Sequence, residues 1–409
     1  MKKYLVGGAV RDELLGLEVR ERDWVLVGAT PQDLLAQGFR AVGKDFPVFL
    51  HPYNHEEYAL ARTERKTGPG YHGFEFHASP DVTLEEDLLR RDLTINAMAR
   101  DELGQLIDPY GGLADLEARS LRHVSAAFME DPVRILRIAR FAARFEGLGF
   151  RVAEDTMTLM GKMVDAGEVD ALVPERVFQE LQKALSEPSP EVFFQVLRDC
   201  GALKRLFPEI DALFGVPQKP RHHPEIDTGI HTLLVLKALA NLTQDPMIRF
   251  AGLVHDLGKA KTNPLDWPRH PGHEVLGLEV LDGLGKRLRL PRHYLGLAQK
   301  IVRYHGVVHK ALNLSPTQLV ELLEALGLFK HPESLEAIVL ACTADARGWP
   351  GFEFTDYPQG KRLLISLEAA KSVDAAPLLS EGLSGLAFGE ALRARRIGAV
   401  ALAMGAGRV

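Results

Sequence analysis

Two adjacent glycines, Gly7 and Gly8, are followed by Arg11 and, further on, by Glu21 and Asp23. Side chains on an extended strand repeat every second residue, so Glu21 and Asp23 share a face if the chain there is a strand. Paired carboxylates of this kind can hold a divalent cation. Hard oxygen ligands suit magnesium, with a nucleotide's phosphates completing its shell. A tight glycine turn at the start of a helix presents bare backbone N–H groups, and that geometry suits a phosphate. Downstream, Arg134, Arg137, Arg140 and Arg144 recur at helical spacing, so they lie along one side of a helix. Cations without interleaved acids repel one another, and this row is expected to face an anion; guanidinium forks suit phosphate.

The elements that must carry these groups are legible in turn. Tyr4-Leu5-Val6 reads as a strand, Ala9 to Leu15 as a helix ended by Gly16, and Glu21 to Val27 as a second strand. Thr30 and Pro31 open a helix that Gly38 closes. Phe46 to Leu50 and Glu56 to Ala61 read as strands joined by a turn at Pro52 to Asn54, completing a small mixed sheet. Glu57 is either a third carboxylate or a surface strand residue. Arg62 to Phe74 has no apolar periodicity and reads as a loop, functional or disordered. Thr83 and Glu86 form a capping-box pattern for a helix ending near Arg91, and Asp92 is placed to cap the next one. Asp131 and Pro132 open the arginine-bearing helix. From Glu154 to Arg205 helix follows helix, with breaks at Gly167, Pro174, Pro188 to Pro190 and Gly201. Gly215 to Gly229 is the clearest linker, where His222 and His223 lack partners at ligand spacing. The remainder is helical, with no function visible from Gly398 onward.

A chain of 409 residues has room for two to four domains. Its hydrophobic fraction of 46% and charged fraction of 25% are ordinary for globular proteins. The net charge of −6 means that any RNA contact must come from local basic faces. Aromatic content of 7% argues against a base-stacking platform as the main device. Cys200 and Cys342 are the two cysteines, no disulfide framework is expected, and a reducing cytoplasm is the expected compartment. The N-terminus carries no signal-peptide pattern, no segment reads as membrane-spanning, and no membrane partner is expected.

The order Gly-Gly, Arg and a two-carboxylate strand resembles motif A of the polymerase beta-like nucleotidyltransferases. With Arg90-Arg91-Asp92-Leu93-Thr94-Ile95-Asn96-Ala97 it resembles the class II tRNA nucleotidyltransferase and poly(A) polymerase family. The resemblance runs over essentially the whole chain and extends to bacterial CCA-adding enzymes with an added HD phosphohydrolase domain. It implies that Glu21 and Asp23 are catalytic and bind Mg2+, and that Gly8, Arg11 and Arg91 bind the nucleotide. It further implies that Asp131 and Arg134 imitate a template base, with Arg137 and Arg140 also contacting the nucleotide. Glu175-Arg176 matches a structural neck motif, and the loop at 62–74 is implied in switching from C to A addition. The family usually has Asp where this chain has Glu21; the carboxylate is kept, with one extra methylene.

His231, the doublet His255-Asp256 after an apolar helix, and the distant Asp345 resemble the HD superfamily pattern. His255-Asp256 is expected near the end of its helix, stopped by Gly258. Imidazole with carboxylate suits nickel, manganese or another divalent transition metal, with magnesium also possible. His231, His255, Asp256 and Asp345 are the expected ligands, with His255 and Asp256 catalytic. His273 and His305 are candidates for phosphate or a second metal.

The expected architecture is multidomain: an α/β nucleotidyltransferase head with a polymerase beta-like mixed sheet over 1–112, then an all-α neck and body over 113–214. A linker over 215–227, an all-α HD domain over 228–330 and a helical C-terminal extension over 331–409 that completes the HD and tail region follow. The expected activity is template-independent addition of CCA to tRNA from CTP and ATP. Its partners are then the tRNA acceptor end, held by phosphates and shape, and the two nucleotides. No obligate protein partner is expected, the chain being a monomer or homodimer. The HD domain adds a phosphohydrolase activity (2′,3′-cyclic phosphodiesterase, 2′-nucleotidase, phosphatase). A poly(A) polymerase of the same family is the alternative, and an RNA chaperone without chemistry the third reading.

Overall fold

Strand β1 (Lys2–Val6) pairs antiparallel with β2 (Asp23–Val27), with Val6 opposite Asp23. Val6 is the last residue of β1 to pair, because Gly7 turns the chain at φ 69°, a conformation glycine adopts without strain. In this computed structural model, which describes all residues except 43–47, 67–73, 78, 219–226 and 407–409, the register sets the glycine turn beside Asp23. It also corrects one expectation: the strand begins at Asp23 and not at Glu21. Once β1 has turned away at Gly7, residues 21 and 22 have no partner on that ladder.

The backbone divides into two units, the first being Met1–Phe207. Its seven-stranded sheet runs in the order β3 (Arg40–Val42), β4 (Val48–Leu50), β5 (Glu57–Leu60), β2, β1, β8 (Ala99–Arg100) and β9 (Leu106–Ile107). β2 and β5 run parallel, with Asp23 opposite Glu57, and the other ladders are antiparallel. The sheet is mixed, as expected. Phe46 and Pro47, expected to open β4, lie outside the described residues. The stretch 62–74 departs from its reading as a loop: β6 (Thr63–Lys66) and β7 (Phe74–His77) pair as a two-stranded ladder, since backbone pairing does not require an apolar period. Residues 67–73, on which the same reading falls, are outside the described set.

Helix α1 (Gly8–Leu14) leaves the glycine turn, and Gly16 follows its end at φ 67°. Val25 and Leu26 alternate to opposite faces of the sheet. Val6, Val25, Leu84 and Leu88 form one buried layer, under α3 (Leu84–Leu89). Leu26, Leu34, Phe49 and Tyr58 form the other, under α2 (Pro31–Ala36). Capping boxes start both covering helices, Thr30 with Asp33 and Thr83 with Glu86. Asp92 does not cap a regular helix. It precedes one 3-10 turn, Thr94–Asn96, whose N-cap is Leu93. Its carboxylate accepts instead from the Leu93 N–H at 2.9 Å and the Asn96 side chain at 3.0 Å.

Helix α4 (Gly112–Glu117) lies against that turn. Then α5 (Val133–Phe145) packs on α7 (Pro174–Ser186) and α8 (Pro190–Asp199), with α6 (Glu154–Asp165) and α9 (Ala202–Leu206) completing the unit. Ile135, Leu136 and Ile138 of α5 are fully buried, and Phe193, Phe194 and Phe207 pack edge to face.

The second unit, Pro208–Val409, is helical among its described residues. After the short α10 (Pro208–Asp211), Pro217 and Asp227 bridge across the expected linker, while His222 and His223 lie outside the described residues. Helix α11 (Thr228–Leu242) packs on α12 (Pro246–Leu253) and α16 (Ser334–Arg347), and α13 (His273–Arg287) on α14 (Arg292–Val308). α15 (Pro316–Ala325), α17 (Pro358–Lys371), α18 (Ala376–Ser380) and α19 (Gly385–Ala406) form a further layer. Gly258 is not a helix stop, because α12 has already ended at Leu253. A Cβ at Gly258 would lie 1.9 Å from the His273 carbonyl oxygen. Only glycine lets the turn after His255-Asp256 rest on the start of α13. No helix among the described residues is long and apolar enough to cross a membrane.

Gly112 makes a comparable contact in the first unit, where a Cβ would lie 2.3 Å from the Thr94 carbonyl oxygen. Gly112→Ala should therefore push the Thr94–Asn96 turn off its helix and cost about 1–3 kcal/mol, read as a lower denaturant midpoint for unfolding of the chain.

Candidate functional site

A polar cavity of about 660 Å3 in the first unit is lined by the glycine turn, by Glu21 and Asp23, and by the arginine side of α5. Gly8, Arg11, Arg91, Asp131, Arg134, Arg137 and Arg140 all line it as well. Glu21 thus reaches the cavity from irregular chain ahead of β2, whereas Asp23 is fixed by the β1–β2 register. Lost solvation raises the Asp23 carboxyl above its ordinary range; Arg91 partly offsets this, and the charge of Glu21 adds to it. A carboxylate pair in that state favours a cation. Gly7 is needed twice, for its positive φ and because a Cβ there would meet the Arg91 guanidinium at 2.8 Å.

No acids interleave with these arginines along α5, but three of them face protein carboxylates from other elements. Arg137 donates to Asp92 at 2.7 Å, Arg140 to Glu180 at 2.8 Å, and Arg144 to Asp12 at 3.0 Å. All three acids lie far from these arginines in sequence, so inspection along α5 does not reveal them. Burial works to raise the Asp92 carboxyl, but Arg137, the Asn96 amide and Arg134 hold it well below its usual range. Arg11 is buried, donating to Asp12 at 2.8 Å and to Asn96 at 2.5 Å. Asp131 is gripped by both terminal nitrogens of Arg176, at 3.1 and 2.7 Å. Arg134, also buried, donates to the Ala127 carbonyl at 2.8 Å. Sequence reasoning missed Asp87, a fully buried carboxylate that accepts from Arg90 at 2.8 Å and Arg91 at 3.2 Å. The signal was there, since Asp87 precedes them by three and four residues, at the spacing of a helical turn, where α3 ends.

In the second unit two ligand sets lie side by side. His231, His255 and Asp345 each offer an atom within 4.8 Å of the others, and so do Asp256, His273 and His305. Asp256 therefore groups with His273 and His305, although its Oδ2 is only 3.0 Å from His255 Nε2. The four histidines are held alike. Each points Nδ1 at a backbone carbonyl: His231 at Gly348 (3.0 Å), His255 at Gly252 (2.7 Å), His273 at His270 (2.9 Å) and His305 at Ile301 (3.0 Å). A carbonyl can only accept, so each Nδ1 carries a proton and each Nε2 faces the cluster, as a lone pair wherever the ring is neutral. His255 Nε2 and Asp256 Oδ1 are buried without a hydrogen-bond partner.

The electrostatics ask for a cation here. Burial disfavours a charged His255, yet Asp256 and Asp345 outweigh it and lift its pKa to about 10. Burial lowers His305 to about 4, leaving it a neutral donor. Asp256 and Asp345 are held well below the carboxylate range, against burial, by His255 and by Lys259 and His309 respectively. Imidazole nitrogens and carboxylates oriented in this way fit a divalent transition metal. A cavity of about 640 Å3 opens beside them, lined also by Lys259, Arg269, Trp349 and Tyr357. Trp349 stacks on His231 with ring centroids 4.3 Å apart. Lys259, His309, Trp349 and Tyr357 were not picked out from the sequence. Lys259 follows Asp256 at helical spacing and His309 follows His305, but nothing local marks the other two.

Residues 3–122 match the family model of the poly A polymerase head domain. Residues 149–214 match the probable RNA and SrmB-binding site of polymerase A, and residues 228–345 match the HD domain. A multifunctional CCA protein from Methylococcus capsulatus is 64% identical over 401 residues, covering 98% of this chain and 94% of its own. The chain belongs to the multifunctional CCA protein family. A second member of that family, from Thioalkalivibrio sulfidiphilus, is 62% identical over 400 residues, covering 98% of both chains. The fold of this multifunctional CCA family chain also matches solved structures. A Thermotoga maritima CCA-adding enzyme complexed with tRNA has a TM-score of 0.63 at 20% identity, covering 100% of this chain and 92% of that one. A CCA-adding enzyme in an apo form reaches 0.66 at 20% identity, covering 99% and 92%. At that identity the likeness is one of fold. The HD match passes the expected boundary at 330 and takes in Asp345. The polymerase head and the HD domain are both classes that depend on divalent cations.

The raised His255 pKa carries a pH consequence for metal-free protein. The folded state keeps a proton that the unfolded chain releases near its ordinary value of 6.5, so the contribution is full below that pH and is lost as pH rises through about 10. Thermal denaturation in chelator should show stability declining from about pH 7 to pH 10, with a shallower decline in His255→Gln. Added divalent metal should flatten it as well, by replacing the proton.

Proposed function

We propose that the chain extends the 3′ end of tRNA with C, C and A, using CTP and ATP and releasing pyrophosphate. The name carried by its Methylococcus relative agrees with this reading. The observation that carries it is the gathering, in one cavity, of two acidic residues, a glycine turn, phosphate-competent arginines and a fixed Asp–Arg pair. The head over 1–112 supplies the reacting end and the helical body over 113–214 the nucleotide-selecting face.

Glu21 and Asp23 would hold Mg2+, which when bound offsets triphosphate charge and favours ionisation of the attacking hydroxyl. The 3′ oxygen of the tRNA forms a bond to the α-phosphorus as the bond to the bridging oxygen of pyrophosphate breaks. Gly8, Arg11, Arg91, Arg137 and Arg140 receive the phosphates and sugar. Arg91 is aimed by Asp87, and Arg137 by Asp92. Asp131 accepts from the exocyclic amine that C and A share, and Arg134 donates to their ring acceptors; U and G offer the opposite pattern. Arg176 and the Ala127 carbonyl hold these two side chains, so the selecting edge belongs to the protein.

In the second unit His231, His255, Asp256 and Asp345 would hold Ni2+ or another divalent transition metal, with His273 and His305 toward a second ion or a phosphate. The bound ion supplies Lewis acidity toward a phosphoester. The substrates are phosphomonoesters and 2′,3′-cyclic phosphates.

Labelled CTP and ATP, offered with tRNA lacking its terminal CCA, should give the complete end. Asp23→Ala should lose this by at least about 1,000-fold, about 4 kcal/mol of barrier; substantial remaining incorporation would defeat the assignment. Long runs of A without C would instead establish the poly(A) polymerase reading. Arg134→Ala should admit UTP or GTP at the selecting edge, measured as the ratio of incorporation rates. His255→Ala should abolish hydrolysis of 2′,3′-cyclic AMP while tRNA extension continues, and persistent hydrolysis would remove the HD reading.

A further inference from the structure

Beside the four cluster histidines stands His309, which is held the opposite way round. His309 follows the end of α14. Its Nε2 lies 2.7 Å from Asp345 Oδ2, and its Nδ1 lies 2.9 Å from the Tyr357 hydroxyl. A carboxylate oxygen accepts, so His309 donates its Nε2 proton to Asp345. Nδ1 is then the acceptor, and the Tyr357 hydroxyl donates to it. The four other rings spend Nδ1 on backbone carbonyls and turn Nε2 to the cluster; this ring spends Nε2 on Asp345 instead.

The consequence falls on Asp345. Its Oδ1 lies 3.0 Å from His231 Nε2 and 3.5 Å from His255 Nε2, on the side where the ligand atoms meet. Its Oδ2 is turned to His309. One oxygen is thereby tied back and the other aimed inward. Carboxylate ligands held by an outer hydrogen bond pay less rotamer entropy on binding, and loss of such a partner typically costs 10–100-fold in metal affinity.

We propose that His309 and Tyr357 form a positioning relay that orients Asp345 as a one-oxygen metal ligand. Neither is itself a ligand. The inference rests on the reading of the cluster as a divalent-cation site. It extends that site beyond residue 345, where the HD match ends, because Tyr357 precedes α17. The helical segment after the HD match thus completes the site and is not an appendage to it.

The test is isothermal titration of metal-free full-length protein with Ni2+ and with Mn2+, for wild type, His309→Leu, His309→Gln and Tyr357→Phe. His309→Leu should bind about 10–100-fold more weakly than wild type. His309→Gln keeps an N–H donor near the Nε2 position and should recover most of that loss. Tyr357→Phe frees the ring to take either tautomer and should fall between them. Extension of tRNA should be unchanged in all three variants, and His309→Gln and Tyr357→Phe should keep the wild-type melting temperature without metal, since a merely structural role would move it. Should His309→Leu fail to fold, Tyr357→Phe decides, because it keeps the ring and removes only the hydroxyl. Wild type that binds metal, with Tyr357→Phe and a folded His309→Leu binding within twofold of it, overturns the relay alone. Wild type that binds neither ion removes the metal reading and the relay with it.

Discussion

Charges of one sign can be gathered in a partly dry cavity only if something of the other sign holds them there. Both sites of this chain are solutions to that constraint. In the first unit the row of arginines on α5 would disperse into solvent without Asp92, Glu180 and Asp12. Those carboxylates come from the glycine-turn helix, from the chain leading into the 3-10 turn after Arg91 and from α7. Each pair ties α5 to another element, so the cations that line the cavity also set the spacing of its walls. Ion pairs of this kind contribute little net stability. Their effect is on geometry, which is what an in-line phosphoryl transfer requires.

The second unit shows the reverse sign. A deeply buried carboxylate, Asp256, and a partly buried one, Asp345, sit among imidazoles whose Nδ1 protons, His309 apart, are committed to backbone carbonyls. The result is a concentration of lone pairs and negative charge. In metal-free protein a proton on His255 answers it, together with Lys259, which donates to Asp256 at 2.5 Å. A divalent cation meets the same demand more fully. Three of the four carbonyls that fix the rings, those of Gly252, Gly348 and His270, belong to irregular or helix-end backbone, and the fourth, that of Ile301, lies within α14. Gly348 has a steric reason as well: a Cβ there would lie 3.0 Å from the Val235 backbone nitrogen. The close approach of α16 to α11 that brings Asp345 to His231 depends on that missing methyl.

Much of this was legible one residue at a time. The glycine turn, the capping boxes at Thr30 and Thr83, the helical spacing of the α5 arginines and the His255-Asp256 doublet are local patterns, set by backbone preference and side-chain period. Elements were read correctly where those signals were strong. The stretch 62–74 was not, because its paired strands are held by backbone hydrogen bonds that leave no apolar alternation. Glu21 was assigned to a strand on side-chain character, whereas strand pairing there stops where Gly7 turns its neighbour away.

The amino-acid order thus specified the kinds of chemistry present: two acids for a cation, guanidinium groups for phosphate, imidazoles with carboxylates for a metal. It could not specify their partners. Arg176 on Asp131 and Asp12 on Arg144 were decided by packing, as were the division of six candidate ligands into two triads and Tyr357 on His309. Hydrogen bonds and ion pairs act over about 3 Å in space and are indifferent to separation along the chain. The groups that aim a functional side chain therefore become visible only once the chain has folded.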